Sequence, residues 1–218
     1  MKHLLTTGIL SSVLLVSVTA HAATAGLSLG GTIVPTACTP NFAGGGTISY
    51  GDMTAGTLNS NTQTLLPEKT TSLTIACNGS VKFILKATDN KATSVVTSLT
   101  TISGYADTQK FGLGAAGNGA KLGAYSMEVT KSTPDKGAVY FVHSSDGGST
   151  WARPSGTPIS KSAQMGWNEQ SVSGYAPSPY ASMQVDIRIV AAIDKLANLP
   201  IADEMTIDGS TTFEVQYL

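Results

Sequence analysis

Charge is scarce in this sequence. Only 12% of its residues are Asp, Glu, Lys or Arg, and the net charge is −1. No basic block is present to grip nucleic acid, and no basic amphipathic stretch to lie on a membrane surface. Histidine is scarcer still. His3 and His21 sit in the N-terminal leader, so His143 alone is left in the body of the chain. One histidine and two cysteines do not make a Cys/His zinc site, and no metal or cofactor is expected. Helical periodicity is missing over any long stretch, which argues against a helical enzyme. The one long apolar run, Leu4 to Val18, is too short to span a bilayer.

That run has another reading. Met1-Lys2-His3 precedes it, and Ala20-His21-Ala22 follows it. A basic start, an apolar centre and a small-x-small end make a secretory signal peptide, residues 1–22. The expected mature chain, 23–218, suits one domain with a real core. An exported chain meets an oxidising compartment, so Cys38 and Cys77 are expected to pair.

What is abundant is alternation. Apolar residues recur at every second position in 72–77, 81–87, 183–191 and 211–218, bounded by Gly, Pro, Asn and Asp. Further short strands are expected at 47–50, 119–129 and 138–143, and a helical turn near 191–197. The fold class predicted is all-β, an immunoglobulin-like Greek-key sandwich.

Several motifs invite a chemical reading. The stretch 144-SSDGGSTW-151 fits an Asp box, with Ser144, Asp146, Gly148, Thr150 and Trp151 in place. The motif occurs once, and the chain is far too short for a propeller glycosidase. The expectation is a structural hairpin turn. Asp146 would accept backbone N–H bonds, the glycines would supply positive φ, and Trp151 would fold back as an apolar plug. The match 112-GLGAAG-117 has the glycine spacing of a dinucleotide loop, but Asn118-Gly119 follows where a helix is required. His143 is the only candidate general base of its kind, and a lone histidine at a strand end is usually a turn residue. No catalytic site is assigned, and the chain is read as a non-enzyme. Asn78-Gly79-Ser80 is a glycosylation sequon, meaningful only in a eukaryotic secretory pathway.

The two ends carry the most specific pattern. In 27-LSLGGTIVPTAC-38, Leu27, Leu29, Gly31 and Ile33 share one face of an extended strand. In 211-TTFEVQYL-218, Phe213, Val215 and Tyr217 do the same, and Tyr217 is penultimate. This pairing resembles the subunits of chaperone–usher pili, with 46-GTISYGDM-53 similar to the region after their first cysteine. Together with 35-PTACTP-40, 66-LPEKTTSLTIAC-77, 110-KFGLG-114, 122-LGAY-125 and 145-SDGGSTW-151, the chain resembles a bacterial family described as "β-fimbriae probable major subunits". It departs from the usual pilin pattern near the C-terminus. Met205 stands where pilins carry a glycine, and Gly209 is the nearest.

The resemblance implies a pilin-type sandwich with an incomplete last strand. A periplasmic chaperone, and then another fimbrial subunit, would fill the gap by strand addition at an outer-membrane usher. Residues 23–37 would be the donor-strand segment, and Phe213, Val215 and Tyr217 the strand facing chaperone or donor. The implied location is the periplasm, then a cell-surface fimbria with a role in adhesion. The alternative expectation is a free-standing exported sandwich that binds a ligand, such as a glycan held by an exposed Trp151 or Trp167.

Overall fold

The structure is a computed structural model that describes residues 23–202 and 204–218. The expected signal peptide, residues 1–22, lies outside the described residues. The chain divides between Val34 and Pro35 into two units. Residues 23–34 form no regular secondary structure. Leu27, Leu29 and Ile33 there are 88%, 90% and 100% exposed.

Residues 35–218 form an all-β sandwich. The strands are β1 (Cys38–Phe42), β2 (Thr64–Leu65), β3 (Lys69–Val81), β4 (Phe83–Asp89), β5 (Phe111–Gly112), β6 (Gly123–Pro134), β7 (Val139–Ser144), β8 (Gln164–Glu169), β9 (Tyr180–Ile193) and β10 (Thr211–Tyr217). The first sheet runs β1-β3-β9-β6-β5, with β2 also paired to β9; the second runs β10-β4-β8-β7. Among the described residues, the ladders between these strands are all antiparallel.

The long alternating strand β9 shows why this sequence folds so. Met183, Val185, Ile187, Ile189 and Ala191 point inward and are buried. Gln184, Asp186 and Arg188 point out. At the far end the outer face is buried as well. There Ala124 and Ala192 are covered by Val95 and Leu99 from the loop before β5. Across the sandwich, Phe83 and Leu85 of β4 and Met165 and Trp167 of β8 complete one core with β3, β6 and β9.

The order β1-β3-β9-β6 is the A-B-E-D sheet of an immunoglobulin sandwich, and β10-β4 are its F and C strands. The β7–β8 hairpin extends the second sheet beyond β4 and is inserted between β6 and β9. In a complete immunoglobulin domain a seventh strand, G, lies beside F. Among the described residues, β10 pairs with β4 alone.

Three expectations are corrected. Residues 47–50 are not a strand, although Ile48 and Tyr50 are half-buried between exposed Thr47 and Ser49. Their side chains pack on the core while their backbone joins no ladder. The helical turn expected over 191–197 is displaced. Strand β9 continues to Ile193, and the turn is a single 3₁₀ turn at Leu196–Asn198. Trp167 is not exposed. It is 1% accessible, and its indole N–H donates to Ser132 Oγ at 2.8 Å.

Candidate functional site

The site is best built from β10. Alternation turns Thr211, Phe213 and Val215 toward the core, and all three are only half-buried. The reason is what lies opposite. Strand β1 is the edge of the first sheet, as β10 is of the second, and the two edges lie on the same side of the sandwich. They touch along the whole of β1, against the Phe213–Tyr217 part of β10. Phe42 meets Phe213 edge-to-face with ring centroids 5.4 Å apart, and Cys38 N–H donates to Tyr217 Oη at 2.7 Å.

Beyond the Phe42–Phe213 pair the slit opens into a cavity of about 250 Å³. Met127 and Ile189 line it from the first sheet, Ile48 and Tyr50 from the segment after β1, and Ile207 and Phe213 from β10 and the loop before it. No Asp, Glu, Lys, Arg or His lines this cavity. Its two phenols stay neutral. Burial pushes the Tyr50 hydroxyl above its ordinary value. It pushes Tyr125 up to about 12, despite a 2.6 Å bond between Tyr125 Oη and Thr211 Oγ1. Tyr50 Oη is buried with no hydrogen-bond partner among the described residues. The cavity is larger than the roughly 150 Å³ hole that stays dry and binds benzene in a well-studied core variant. Apolar side chains suit such a space, and a peptide carbonyl would give Tyr50 its missing acceptor.

Gly209 sits at the mouth of this cavity. A Cβ there would lie 2.9 Å from Tyr125 Cε1 and 3.1 Å from the carbonyl oxygen of Gly112. Glycine is therefore needed at 209 by close approach. At 205, Met205 is partly buried and packs against the core.

The expected disulfide is present. Cys38 and Cys77 are bonded, and they are direct cross-strand partners at the end of the β1–β3 ladder. The bond ties the edge strand β1 to the sheet. It also fits maturation in an oxidising compartment. None of the described helices is long and apolar enough to cross a membrane.

The 144–151 stretch is a turn held by its own side chains. Ser144 Oγ donates to Asp146 Oδ1 at 2.6 Å and accepts the Gly148 N–H at 2.8 Å. The Thr150 N–H and hydroxyl donate to the two Asp146 carboxylate oxygens at 2.9 and 2.6 Å. The Ser144 and Thr150 hydroxyls hold the Asp146 carboxyl well below the usual carboxylate range. Gly147 and Gly148 take φ of 74° and 92°, which any Cβ would strain. Trp151 is half-buried. Its indole N–H closes the turn on Gly148 O at 3.0 Å, and its ring lies over Gly166, where a Cβ would sit 3.4 Å from Cζ3. His143, at the foot of this turn, has no carboxylate or hydroxyl partner for its ring among the described residues.

The glycine-rich match at 112–117 belongs to β5 and the loop after it, with no helix following. A Cβ on Gly112 would collide with the Lys91 carbonyl oxygen at 2.1 Å, so packing explains that glycine.

Residues 27–126 match the family model "Protein of unknown function (DUF1120)". The matched stretch starts at Leu27 and reaches into β6. The chain is also similar to Protein GltF of Escherichia coli (strain K12), at 28% identity over 222 residues, covering 88% of this chain and 87% of that protein.

Strand β10 and the 27–33 segment are legible in the sequence as alternating runs, and the walls of the slit are not. Ile48 and Tyr50 lie in the 46-GTISYGDM-53 stretch, but only their alternation with polar neighbours hinted at burial, and the same holds for Ile207.

Proposed function

We propose that this protein is a structural subunit of a surface fimbria, joined to its neighbours by strand exchange. The observation that carries the reading is the unpaired edge of β10 beside an uncharged apolar slit, where an immunoglobulin sandwich would hold its seventh strand. Such an edge is an aggregation hazard unless something covers it. The N-terminal segment of a second copy has the matching pattern. Leu27, Leu29 and Ile33 are exposed apolar anchors on one face, with Gly31 between them. Buried in a neighbour's slit, three anchors at about 1.5–3 kcal/mol each would supply roughly 5–9 kcal/mol before ordering costs. Backbone bonds to β10 would add direction and register. Before assembly the same edge would need a periplasmic chaperone to cover it, and an outer-membrane usher would then deliver the subunit to the growing fimbria.

The test compares the exported wild-type chain with the double variant Leu27→Asp/Leu29→Asp. Burying two charges in an apolar slit is prohibitive. High-mass assemblies in the periplasmic and surface fractions should fall at least 100-fold, while the variant's 35–218 fold should unfold at the wild-type temperature. A wild-type chain recovered as a stable monomer, with cooperative unfolding and no chaperone or peptide bound, would sink the proposal.

A further inference from the structure

Asn78 has no part in the core, yet every polar group it offers to one short stretch is engaged. The ladder between β3 and β9 shifts register between Ala76 and Val81, so residues 77–80 bulge away from β9. From that bulge the Asn78 N–H donates to Ala37 O at 3.0 Å. Its side-chain Oδ1 accepts the Ala37 N–H at 2.9 Å, and its Nδ2 donates to Pro35 O at 3.3 Å. One residue further on, the Cys38 N–H is held by Tyr217 Oη. Backbone groups of Pro35, Ala37 and Cys38 are thus tied to two fixed points. The neighbouring disulfide does not duplicate this. It fixes the Cys38 side chain, whereas Asn78 fixes the path of the backbone leading into it.

We infer that Asn78 is a positioning residue that sets where, and in which direction, the N-terminal segment leaves the sandwich for a neighbouring copy. The inference rests on the strand-exchange reading above. Residues 35–38 are held at the Tyr217 end of β10. The cavity opens at the opposite end, around Thr211 and Phe213. Exit and entrance therefore stand about 20 Å apart, the length of a seven-residue strand. Copies joined exit to entrance make a heterologous contact, which builds an open filament when the rotation between copies does not close and a ring when it does. A loose 35–37 stretch would let the segment leave at any angle and lower its effective concentration at the neighbour's slit. The Asn-Gly-Ser sequence, which reads as a sequon, acquires a structural role here through its first residue.

The experiment uses the full exported chain with Asn78→Ala and Asn78→Asp, at matched concentrations. Three quantities are read: hydrogen exchange at the Ala37 amide, the rate of assembly by light scattering, and the thermal midpoint. For Asn78→Ala, exchange at Ala37 and the loss of assembly rate should each be about tenfold, the scale of one or two lost hydrogen bonds. The thermal midpoint should move little, because Asn78 is exposed. Asn78→Asp keeps the acceptor for Ala37 N–H and loses the donor to Pro35 O, so it should fall between the two. It also carries the test if the alanine variant fails to fold. Wild-type assembly with the Ala37 amide released, or an amide that stays protected, overturns the inference. Failure of the underlying reading looks different: the Leu27→Asp/Leu29→Asp chain would then assemble as well as wild type.

Discussion

The second sheet has two edges, and the protein treats them in opposite ways. The β7 edge is blunted. His143 and Ala152 exchange both backbone bonds, at 2.9 and 3.0 Å, and the Gln170 side-chain amide donates to Val139 O at 3.0 Å. Trp151 and Pro177 cover the neighbouring face of β8 at Gly166. The β10 edge has none of this. Its core-facing side chains are half-buried, its outer edge has no strand partner among the described residues, and an apolar cavity lies beside it. Covering an edge is the ordinary defence against unwanted pairing. Among the described residues, one edge thus carries a dedicated turn and the other has no strand beside it.

The contrast can be broken from either side. The largest effect is expected beside the open edge. Replacing Cys38 and Cys77 with serine unties β1 from β3 and should cost about 2–5 kcal/mol, seen as a lower urea midpoint. Strand β1 would then drift from β10, and dye binding to exposed apolar surface should rise.

On the blunted side, Trp151→Ala should cost about 2 kcal/mol, less than the roughly 3–5 kcal/mol of a fully buried tryptophan. Hydrogen exchange should quicken at His143 and Ala152 and stay unchanged in β10. The same variant examines the ligand-binding alternative. Loss of a glycan-array signal with an intact turn would favour a contact role for Trp151.

The smallest effect is a pH dependence. The Asp146 carboxyl titrates below its ordinary value of 3.8 in the folded chain. A depressed folded value means that the unfolded chain binds the proton first as pH falls. The stabilisation is therefore complete above the ordinary value and is lost as pH drops below it. Asp146→Asn should flatten that acid limb of the unfolding curve by lowering neutral-pH stability toward its acid value, a small loss because the carboxyl is exposed.

Much of this fold was legible residue by residue. Strand β9 was visible in Val185, Ile187 and Ile189, since one wet face and one dry face write a period of two. The same held for Phe213, Val215 and Tyr217. Strand β8, Gln164–Glu169, was not legible. Met165, Gly166, Trp167 and Asn168 are all buried, because the core takes one face and the 144–151 and 170–178 loops cover the other. Alternation vanishes when both faces are dry. The 47–50 stretch misled in the other direction. Ile48 and Tyr50 alternate like a strand because they line a slit, and burial periodicity says nothing about backbone pairing.

By itself the sequence determined the all-β class, the cysteine pair, the Ser144-to-Trp151 turn and the two alternating terminal segments, because each depends on neighbours in the chain. Tertiary structure alone decided which edge is open. That depends on Ala152 and the Gln170 side chain returning to β7, on β1 reaching β10 only between Phe213 and Tyr217, and on Asn78 reaching back to Pro35 and Ala37. Those contacts are made by irregular segments and single side chains rather than by the alternation within one strand, so no local period records them.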